Sequence, residues 1–129
     1  MVDLDGKTWS SSDFTGRTVV LNFWATWCPP CVAEIADLAQ FSRQHDTNRI
    51  VVIGASVDEM PSDGLRQNVQ ALKIPYPVLR VTPEVAHAFG NVHALPTTFV
   101  IGPDGAFVAQ HVGLITRKQL DAIAAPLLR

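Results

Sequence analysis

The two cysteines of this chain, Cys28 and Cys31, are separated by a pair of prolines and are the only thiols in its 129 residues. Cysteines spaced in this way can close a small disulfide ring, and a thiolate of the pair can exchange that bond with another disulfide. A bridge across so short a loop restrains little of the unfolded chain, which disfavours a purely structural role. The spacing therefore predicts a redox-active dithiol.

The elements on either side of the cysteines can be predicted from their apolar patterns. The continuous apolar run Val19–Trp24 predicts a strand buried on both faces, and the pattern after it predicts a helix from about Pro30 to His45. Cys28 would then lie at the N-terminus of that helix, where unpaired N–H groups and the positive end of the helix dipole favour a thiolate. Cys31 would lie one turn further along and be more buried.

The prolines between the cysteines limit how strongly that thiolate is stabilised. Pro29 and Pro30 fix the backbone where a helix begins and carry no N–H. Because these two donors are missing, we expect the N–H of Cys31 to be the main donor to the sulfur of Cys28. No charged residue lies between the cysteines, so the preference for the thiolate should be moderate.

The remaining patterns predict an α/β fold. The apolar run Ile50–Val57 predicts a second buried strand, with Asp58 and Glu59 in the loop beyond its carboxyl end. Strands at Thr97–Ile101 and Ala106–Val112 are joined by a hairpin turn. A β-α-β start calls for parallel strands and the hairpin adds antiparallel ones, so the prediction is a central mixed sheet with helices on both faces. Further helices are predicted at Ser62–Lys73, capped by Ser62, at Thr82–Gly90, ended by Gly90, and from a capping box at Thr116 to about Leu128.

Two segments outside these elements show weaker patterns. Leu4–Trp9 is typical of a small hairpin around an Asp-Gly turn. Ile74–Leu79 should be extended because of its two prolines. Neither pattern assigns the segment to a particular place in the sheet.

Composition excludes several classes of function. The formal net charge is −2 and the basic residues are scattered, so nucleic-acid binding is not expected. No apolar run approaches the roughly 18 residues of a membrane span. The first residues, Met1–Asp5, lack the basic and apolar regions of a signal peptide. We expect residues 1–129 to form one domain.

Two stretches, Val20–Glu34 around the cysteines and His93–Gly105 before the late hairpin, carry a resemblance to a known family. They resemble the thioredoxin superfamily and, within it, the TlpA/ResA-type thiol–disulfide oxidoreductases of bacterial envelopes. The segment Ser62–Val78 matches that branch better than it matches plain thioredoxin. The resemblance implies a thioredoxin-like fold and dithiol–disulfide exchange with no dissociable cofactor.

The resemblance also implies a role for particular residues. Cys28 would be the attacking thiol and Cys31 the resolving one. Pro96 would follow a cis peptide bond facing the pair, which leaves the backbone of Leu95 free to bind an extended stretch of the partner. The expected client-binding surface comprises Trp27, Pro29, Pro30, Leu95 and Pro96, whereas Trp24 should lie in the core.

One departure from the family leaves the proton acceptor for Cys31 open. Asn22 stands six residues before the first cysteine, where thioredoxins carry a buried aspartate. Asp58 and Glu59 are candidates because they follow a strand end, although a solvated loop carboxylate is the default expectation for Asp58. Glu34 is a weaker candidate because we expect it to face solvent. Asn22 should be either a core residue bonded to backbone or a polar neighbour of Cys31.

The expected function is reduction of protein disulfides through Cys28 and Cys31. The resemblance implies disulfide-containing clients, among them apocytochrome c in cytochrome c maturation, and an upstream thiol donor such as a membrane thiol transporter. It also implies a periplasm-facing location in the cell envelope, as the soluble part of a longer, anchored or secreted precursor. We expect a monomer, with no metal among the site residues.

Three alternatives stay open at this stage. The first is a disulfide-donating oxidase on the same scaffold. The second is a cytosolic electron carrier of the thioredoxin or tryparedoxin kind. The third is a copper-binding chaperone, in which the cysteines supply half of a tetrahedral site. That site would need two of the four histidines to converge on the cysteine pair; they are His45, His87, His93 and His111.

Overall fold

In the computed structural model, which describes residues 1–128, six β-strands form one sheet. The strands, β1 to β6 in chain order, are Val2–Asp3, Thr18–Trp24, Ile50–Ser56, Val78–Arg80, Thr97–Ile101 and Phe107–Val112. The α-helices, α1 to α4, are Pro29–Arg43, Ser62–Ala71, Pro83–Gly90 and Arg117–Ala124. Short 3₁₀ helices lie at Ser11–Phe14 and Ala125–Leu128.

The sheet is mixed, as the sequence predicts. Its strand order is β1-β4-β3-β2-β5-β6, with β2, β3 and β4 parallel to one another. The strands β1 and β5 run antiparallel to this group, and β6 pairs antiparallel with β5. Every residue of β2 and β3 is buried, because both strands are covered on both faces.

Alternate residues of the central strands face opposite layers of helices. On one face Val20, Val52 and Val100 pack against Leu38 of α1 and Leu120 of α4. The other face forms a second apolar cluster with α2 and α3, which also takes in both cysteines; its members include Leu21, Ile53, Phe99, Leu65 and Ala86. The predicted placement of helices on both faces is therefore confirmed.

The strands β1 and β4 are elements that the sequence pattern did not indicate, and they pair with each other. The pattern shows only an extended segment at Ile74–Leu79, whereas the structure pairs the end of that segment with both β3 and β1. Pro75 and Pro77 have no N–H to donate, so a ladder can begin only after them. The N-terminal hairpin is reduced to a single bridge between Val2 and Thr8.

The predicted boundaries of α1, α2 and α4 are wrong by one to four residues. The helix α4 ends at Ala124, and only a 3₁₀ helix continues to Leu128. The helix α1 begins at Pro29 and ends at Arg43 rather than at His45. The helix α2 ends two residues early, and Ser62 is its first residue rather than its cap. Pro61 occupies the cap position, and no side chain bonds the first turn.

The starts of α3 and α4 are capped as predicted. The Thr82 hydroxyl accepts a hydrogen bond from the N–H of Val85 at 3.2 Å. Thr116 and Gln119 form the capping box, in which the Gln119 side chain accepts from the Thr116 N–H at 2.9 Å. None of the helices within residues 1–128 is long and apolar enough to cross a membrane.

Gly90 ends α3 for a packing reason rather than a conformational one. The left-handed residue at this helix end is Asn91, with φ of 59°. A Cβ atom at Gly90 would overlap the ring of Phe99 on β5. Glycine is thus required where the end of α3 packs against Phe99 of β5.

Candidate active site

The cysteine pair lies at the N-terminus of α1 and is oxidised. Cys28 and Cys31 form a disulfide with their Cα atoms 5.2 Å apart. Cys28 is the N-cap of the helix, and its Sγ accepts a hydrogen bond from the N–H of Cys31 at 3.4 Å. Pro29 and Pro30 fill the first two helical positions and donate nothing. The prediction that the N–H of Cys31 is the main donor to Cys28 is therefore confirmed.

The two cysteines differ in how far a partner could reach them. Cys31 is fully buried, whereas Cys28 retains 6% of its surface. Pro29 and Pro30 are exposed next to the disulfide, and Trp27 is 67% exposed immediately before it. Only Cys28 offers its sulfur to a disulfide on another molecule.

A proline loop lies at the same edge of the sheet as the cysteines. The peptide bond between Leu95 and Pro96 is cis, as predicted. Pro96 directly precedes β5, and Thr97 pairs with Phe23 at the end of β2 that leads to the cysteine loop. Within residues 1–128 no hydrogen bond involves the backbone of Leu95. Its N–H and C=O are therefore open to a partner strand.

A groove of about 530 Å³ adjoins this edge. Its walls are Trp27, the loop after β3, the first half of α3 and the loop before Pro96. Most of the lining is apolar, and the polar side chains on it are Asp58, Glu59 and His93. Trp24, by contrast, is 2% exposed and belongs to the core, as predicted.

Glu34 is buried, so the expectation that it faces solvent is wrong. Only 1% of its surface is exposed. One carboxylate oxygen accepts from the Asn22 side-chain amide at 2.5 Å, and the other accepts from the backbone N–H of Ile115 at 2.9 Å. These two donors lie on β2 and on the segment before α4. They meet Glu34 of α1 only because the tertiary fold brings the three segments together.

The environment of Glu34 changes its acidity. Burial raises the pKa of its carboxyl group, and the hydrogen bonds from Ile115 and Asn22, with the nearby His111, offset part of that effect. Glu34 lies three residues after Cys31 on α1, which places the two side chains on one face about 5–6 Å apart between Cβ atoms. Asn22 also donates to the Thr98 hydroxyl at 2.9 Å. Its partners are thus side chains, not the backbone.

Asp58 is also buried, contrary to the expectation of a solvated loop carboxylate. It is 5% exposed, and its carboxylate accepts from the N–H of Thr26 at 3.1 and 3.2 Å. The hydroxyls of Thr26 and Ser56 each donate to it at 2.6 Å. With both oxygens hydrogen-bonded, the Asp58 carboxylate connects the cysteine loop to the end of β3. Glu59, the third candidate, is exposed on the groove.

Arg80 is a residue of this region that sequence reasoning missed. Its guanidinium donates to the carbonyl oxygens of Asp58 and Met60 and, at 3.0 Å, to the hydroxyl of Ser62. The register of the sheet pairs Arg80 with Ser56, which brings it to the carboxyl end of β3. In the sequence, Arg80 directly follows two apolar residues, Val78 and Leu79. A charged residue at the end of such an apolar segment is a signal that could have indicated this role.

The histidines do not form a shared site with the cysteines. Within residues 1–128 no group of three or more His, Cys, Asp or Glu side chains is arranged to hold a metal ion. The rings of His87 and His93 contact each other with centroids 4.5 Å apart. His45 packs on a phenylalanine ring, and His111 bonds to a backbone carbonyl.

Comparison with known proteins agrees with this geometry. A model of the AhpC/TSA family matches residues 1–110. Thiol-disulfide oxidoreductase ResA of Bacillus thuringiensis subsp. konkukian (strain 97-27) is 31% identical over 122 residues, covering 94% of this chain and 69% of the relative. The chain belongs to the AhpC/TSA family, on the TlpA/ResA branch of the thioredoxin superfamily. The resemblance seen in Val20–Glu34 and His93–Gly105 is confirmed.

Solved structures show the same fold. A thiol:disulfide interchange protein of the thioredoxin family from Chlorobium tepidum TLS has a TM-score of 0.85 and 33% identity, covering 100% of this chain and 92% of its own. A secreted thiol-disulfide isomerase from Corynebacterium glutamicum has a TM-score of 0.84 and 25% identity, covering 98% and 81%. The thioredoxin-like fold is confirmed.

Membership of this branch establishes the class of reaction. The protein is a thiol–disulfide oxidoreductase that carries out dithiol–disulfide exchange at a C-x-x-C pair, Cys28 and Cys31. Its substrates are disulfide-containing client proteins.

Proposed function

We propose that the protein is a reductase of protein disulfides in which Cys28 attacks and Cys31 resolves. The observation that carries this assignment is the environment of the Cys28 sulfur: one N–H donor at 3.4 Å and no charged residue between the cysteines. A strongly stabilised thiolate is what makes a dithiol protein such as DsbA an oxidant. Without that stabilisation the disulfide form is favoured, so the reduced protein gives up electrons readily.

The proposed exchange proceeds in two steps. The Cys28 thiolate attacks one sulfur of the client disulfide, forming a mixed disulfide and releasing the other client sulfur as a thiolate that takes up a proton. Cys31 then loses its proton and attacks the Cys28 sulfur, which releases the second client thiolate. Two electrons pass to the client, and the protein is left with the Cys28–Cys31 disulfide.

Glu34 is the proposed proton acceptor for Cys31. It is the buried carboxylate on the same helix face, one turn further along α1, and burial raises its pKa. A raised carboxyl pKa narrows the gap to the pKa of a thiol, which favours proton transfer. Asp58 is less suited because its oxygens are occupied by Thr26 and Ser56.

The proposed client-binding surface is the exposed rim around Cys28. Trp27, Pro29 and Pro30 flank the sulfur, and the open backbone of Leu95 before Pro96 can pair with an extended client segment as an added strand does. We place the monomeric domain 1–129 on the envelope side of the membrane, since a similar structure is that of a secreted protein. An upstream thiol donor, such as a membrane thiol transporter, would return Cys28 and Cys31 to the dithiol state. Apocytochrome c is the proposed client, from the family resemblance.

The reduction potential of the Cys28–Cys31 pair tests the direction of the reaction. It can be measured against a glutathione or dithiothreitol buffer by tryptophan fluorescence, because Trp24 and Trp27 lie next to the pair in the chain. A value at or below about −220 mV supports a reductase. A value near about −120 mV would assign the protein to disulfide donation instead.

A further inference from the structure

We propose that the groove beside the disulfide binds a positively charged client side chain, lysine or arginine, and that Glu59 selects it. The inference rests on the proposed function, because it takes clients to approach Cys28 across the rim formed by Trp27 and Leu95. It adds a charge preference to what the exchange reaction itself requires.

The groove has the position and size of a side-chain subsite. It extends from Trp27, the residue before Cys28, to Leu95, the residue before the cis proline. Its volume of about 530 Å³ lies within the range of small-molecule sites, roughly 300–1,000 Å³. A client segment paired with the Leu95 backbone while its disulfide meets Cys28 would place neighbouring side chains over this opening.

The lining suits a side chain with an apolar stem and a cationic end. Val57, Met60, Ala86, Val92 and Leu95 supply an apolar floor. Lysine and arginine bury their methylene stems on such surfaces while their charged groups stay at the edge. Trp27 is 67% exposed and so presents an indole face, the aromatic surface that attracts cations most strongly.

The charge of the lining favours a cation over an anion. Within residues 1–128, two carboxylates, Asp58 and Glu59, line the groove, and no lysine or arginine does. Asp58 is occupied by Thr26 and Ser56, but Glu59 is exposed and has no ion-pair or hydrogen-bond partner in the part of the chain that the structure describes, residues 1–128. Its carboxylate is therefore available to an incoming ammonium or guanidinium group. His93 is the one other ionisable side chain on the lining.

The wall that carries Glu59 is held in place before any client binds. Arg80 donates to the carbonyls on either side of Glu59, those of Asp58 and Met60, and to the Ser62 hydroxyl. These bonds keep the guanidinium behind the wall rather than on the groove. Asp58 ties the same segment to Thr26 beside Trp27. A preformed site costs less ordering on binding, so a single exposed carboxylate can select between ligands.

The test uses three short peptides that each contain one intramolecular disulfide and differ at one position next to it: lysine, glutamine or glutamate. Reduction by the reduced protein gives kcat/KM for each peptide, and reduction by dithiothreitol gives its intrinsic reactivity. We expect the lysine peptide to be favoured over the glutamate peptide by about 3- to 10-fold after that correction, since one exposed ion pair and one cation–π contact contribute modestly. High ionic strength should reduce the preference.

Variants of Glu59 decide the origin of the preference. Glu59→Gln should remove most of it and Glu59→Lys should reverse it, whereas Glu84→Gln, which neutralises an exposed carboxylate of α3 outside the groove lining, should leave it unchanged. An unchanged preference in Glu59→Lys, or a wild-type preference for the glutamate peptide, overturns the inference while the exchange activity stands. Failure of the wild-type protein to reduce any peptide overturns the proposed function and this inference together.

Discussion

The side-chain amide of Asn22 donates a hydrogen bond of 2.5 Å to the carboxylate of Glu34, and both residues are almost completely buried. Asn22 stands on β2 at the position where thioredoxins carry their buried aspartate. In this chain a buried carboxylate, that of Glu34, lies on α1 instead, one turn beyond Cys31. The helix thus carries a buried carboxylate, and the strand supplies the amide that binds it.

If Glu34 accepts the proton of Cys31, Glu34→Gln should slow the resolving step by about 10²-fold or more, the usual contribution of a general base. The attack by Cys28 should keep its rate. Single-turnover kinetics with a client disulfide, followed over a range of pH, separate the two steps. The variant should also lose the pH dependence that a carboxyl group gives to the second step. Equal slowing of both steps would assign Glu34 a structural role.

Glutamine is a suitable replacement because the local hydrogen bonds can be kept. The side-chain oxygen of the new glutamine can accept from the Ile115 N–H, and the Asn22 amide can rotate so that its oxygen accepts from the new amide and from Thr98. Glu84→Gln is the matched control, an exposed glutamate outside the groove lining. Its kinetics should match those of the wild-type protein.

The same carboxyl group should make the stability of the oxidised protein depend on pH. Burial raises the pKa of Glu34 in the folded state above the ordinary value of a glutamate carboxyl group. As pH rises, the unfolded state therefore loses this proton first, and the free energy of unfolding falls until pH exceeds the folded-state pKa. Urea unfolding of wild type and Glu34→Gln across this range should show the decrease in wild type only. A parallel pH dependence in both proteins would contradict the prediction.

Substitution of the cysteines should separate the two chemical roles. Cys28→Ser should abolish exchange, because Cys31 has no exposed surface with which to reach a client disulfide. Cys31→Ser should accumulate a mixed disulfide between Cys28 and the client, which mass spectrometry of the unreduced protein detects. Full activity in Cys28→Ser, or a stable mixed disulfide through Cys31, would reverse the assignment.

The features predicted correctly from the sequence depend on local spacing. The position of Cys28 at a helix N-terminus, its main donor and the caps at Thr82 and Thr116 all involve residues within four of one another. The continuous apolar runs of β2 and β3 are equally local, since consecutive apolar residues by themselves indicate a strand covered on both faces.

The features predicted wrongly depend on partners that are distant in the chain. Glu34 is buried because it meets an N–H 81 residues away, and Asp58 is buried because it meets Thr26 32 residues away. The residues next to Glu34 or Asp58 in the sequence do not indicate that hydrogen-bond donors from distant parts of the chain will surround the carboxylate. The strand β4 was missed for a related reason, because its three residues become a strand only by pairing with β3 and β1.

Gly90→Ala should destabilise the protein because the new methyl group would overlap the Phe99 ring. Overpacking of this kind costs about 1–3 kcal/mol. Gly64→Ala is the control, since its Cβ would make only an ordinary contact at 3.5 Å with Met60 and alanine is the better helix former. Chemical unfolding should therefore show a loss of stability at position 90 and none at position 64. Equal effects at both positions would show that the Phe99 ring moves aside without cost.

Asp58→Ala should lower both stability and client affinity because this carboxylate connects the end of β3 to the cysteine loop. Its removal leaves the N–H of Thr26 and two hydroxyls, those of Thr26 and Ser56, without their acceptor. The expected loss is about 2–4 kcal/mol in the free energy of unfolding. Asp58→Asn should lose less, because its one remaining oxygen can still accept the Thr26 N–H.

The kinetic consequence distinguishes this role of Asp58 from that of a proton acceptor. A loosened loop displaces Trp27 and raises KM for client peptides, whereas the pH dependence of the resolving step stays with Glu34. Asp63→Ala, at an exposed position in the first turn of α2, should cost less than about 1 kcal/mol and leave KM unchanged. If Asp58→Asn instead shifted the pH profile with KM unaltered, the buried acid that assists Cys31 would be Asp58, and the Asn22–Glu34 pair would serve the fold alone.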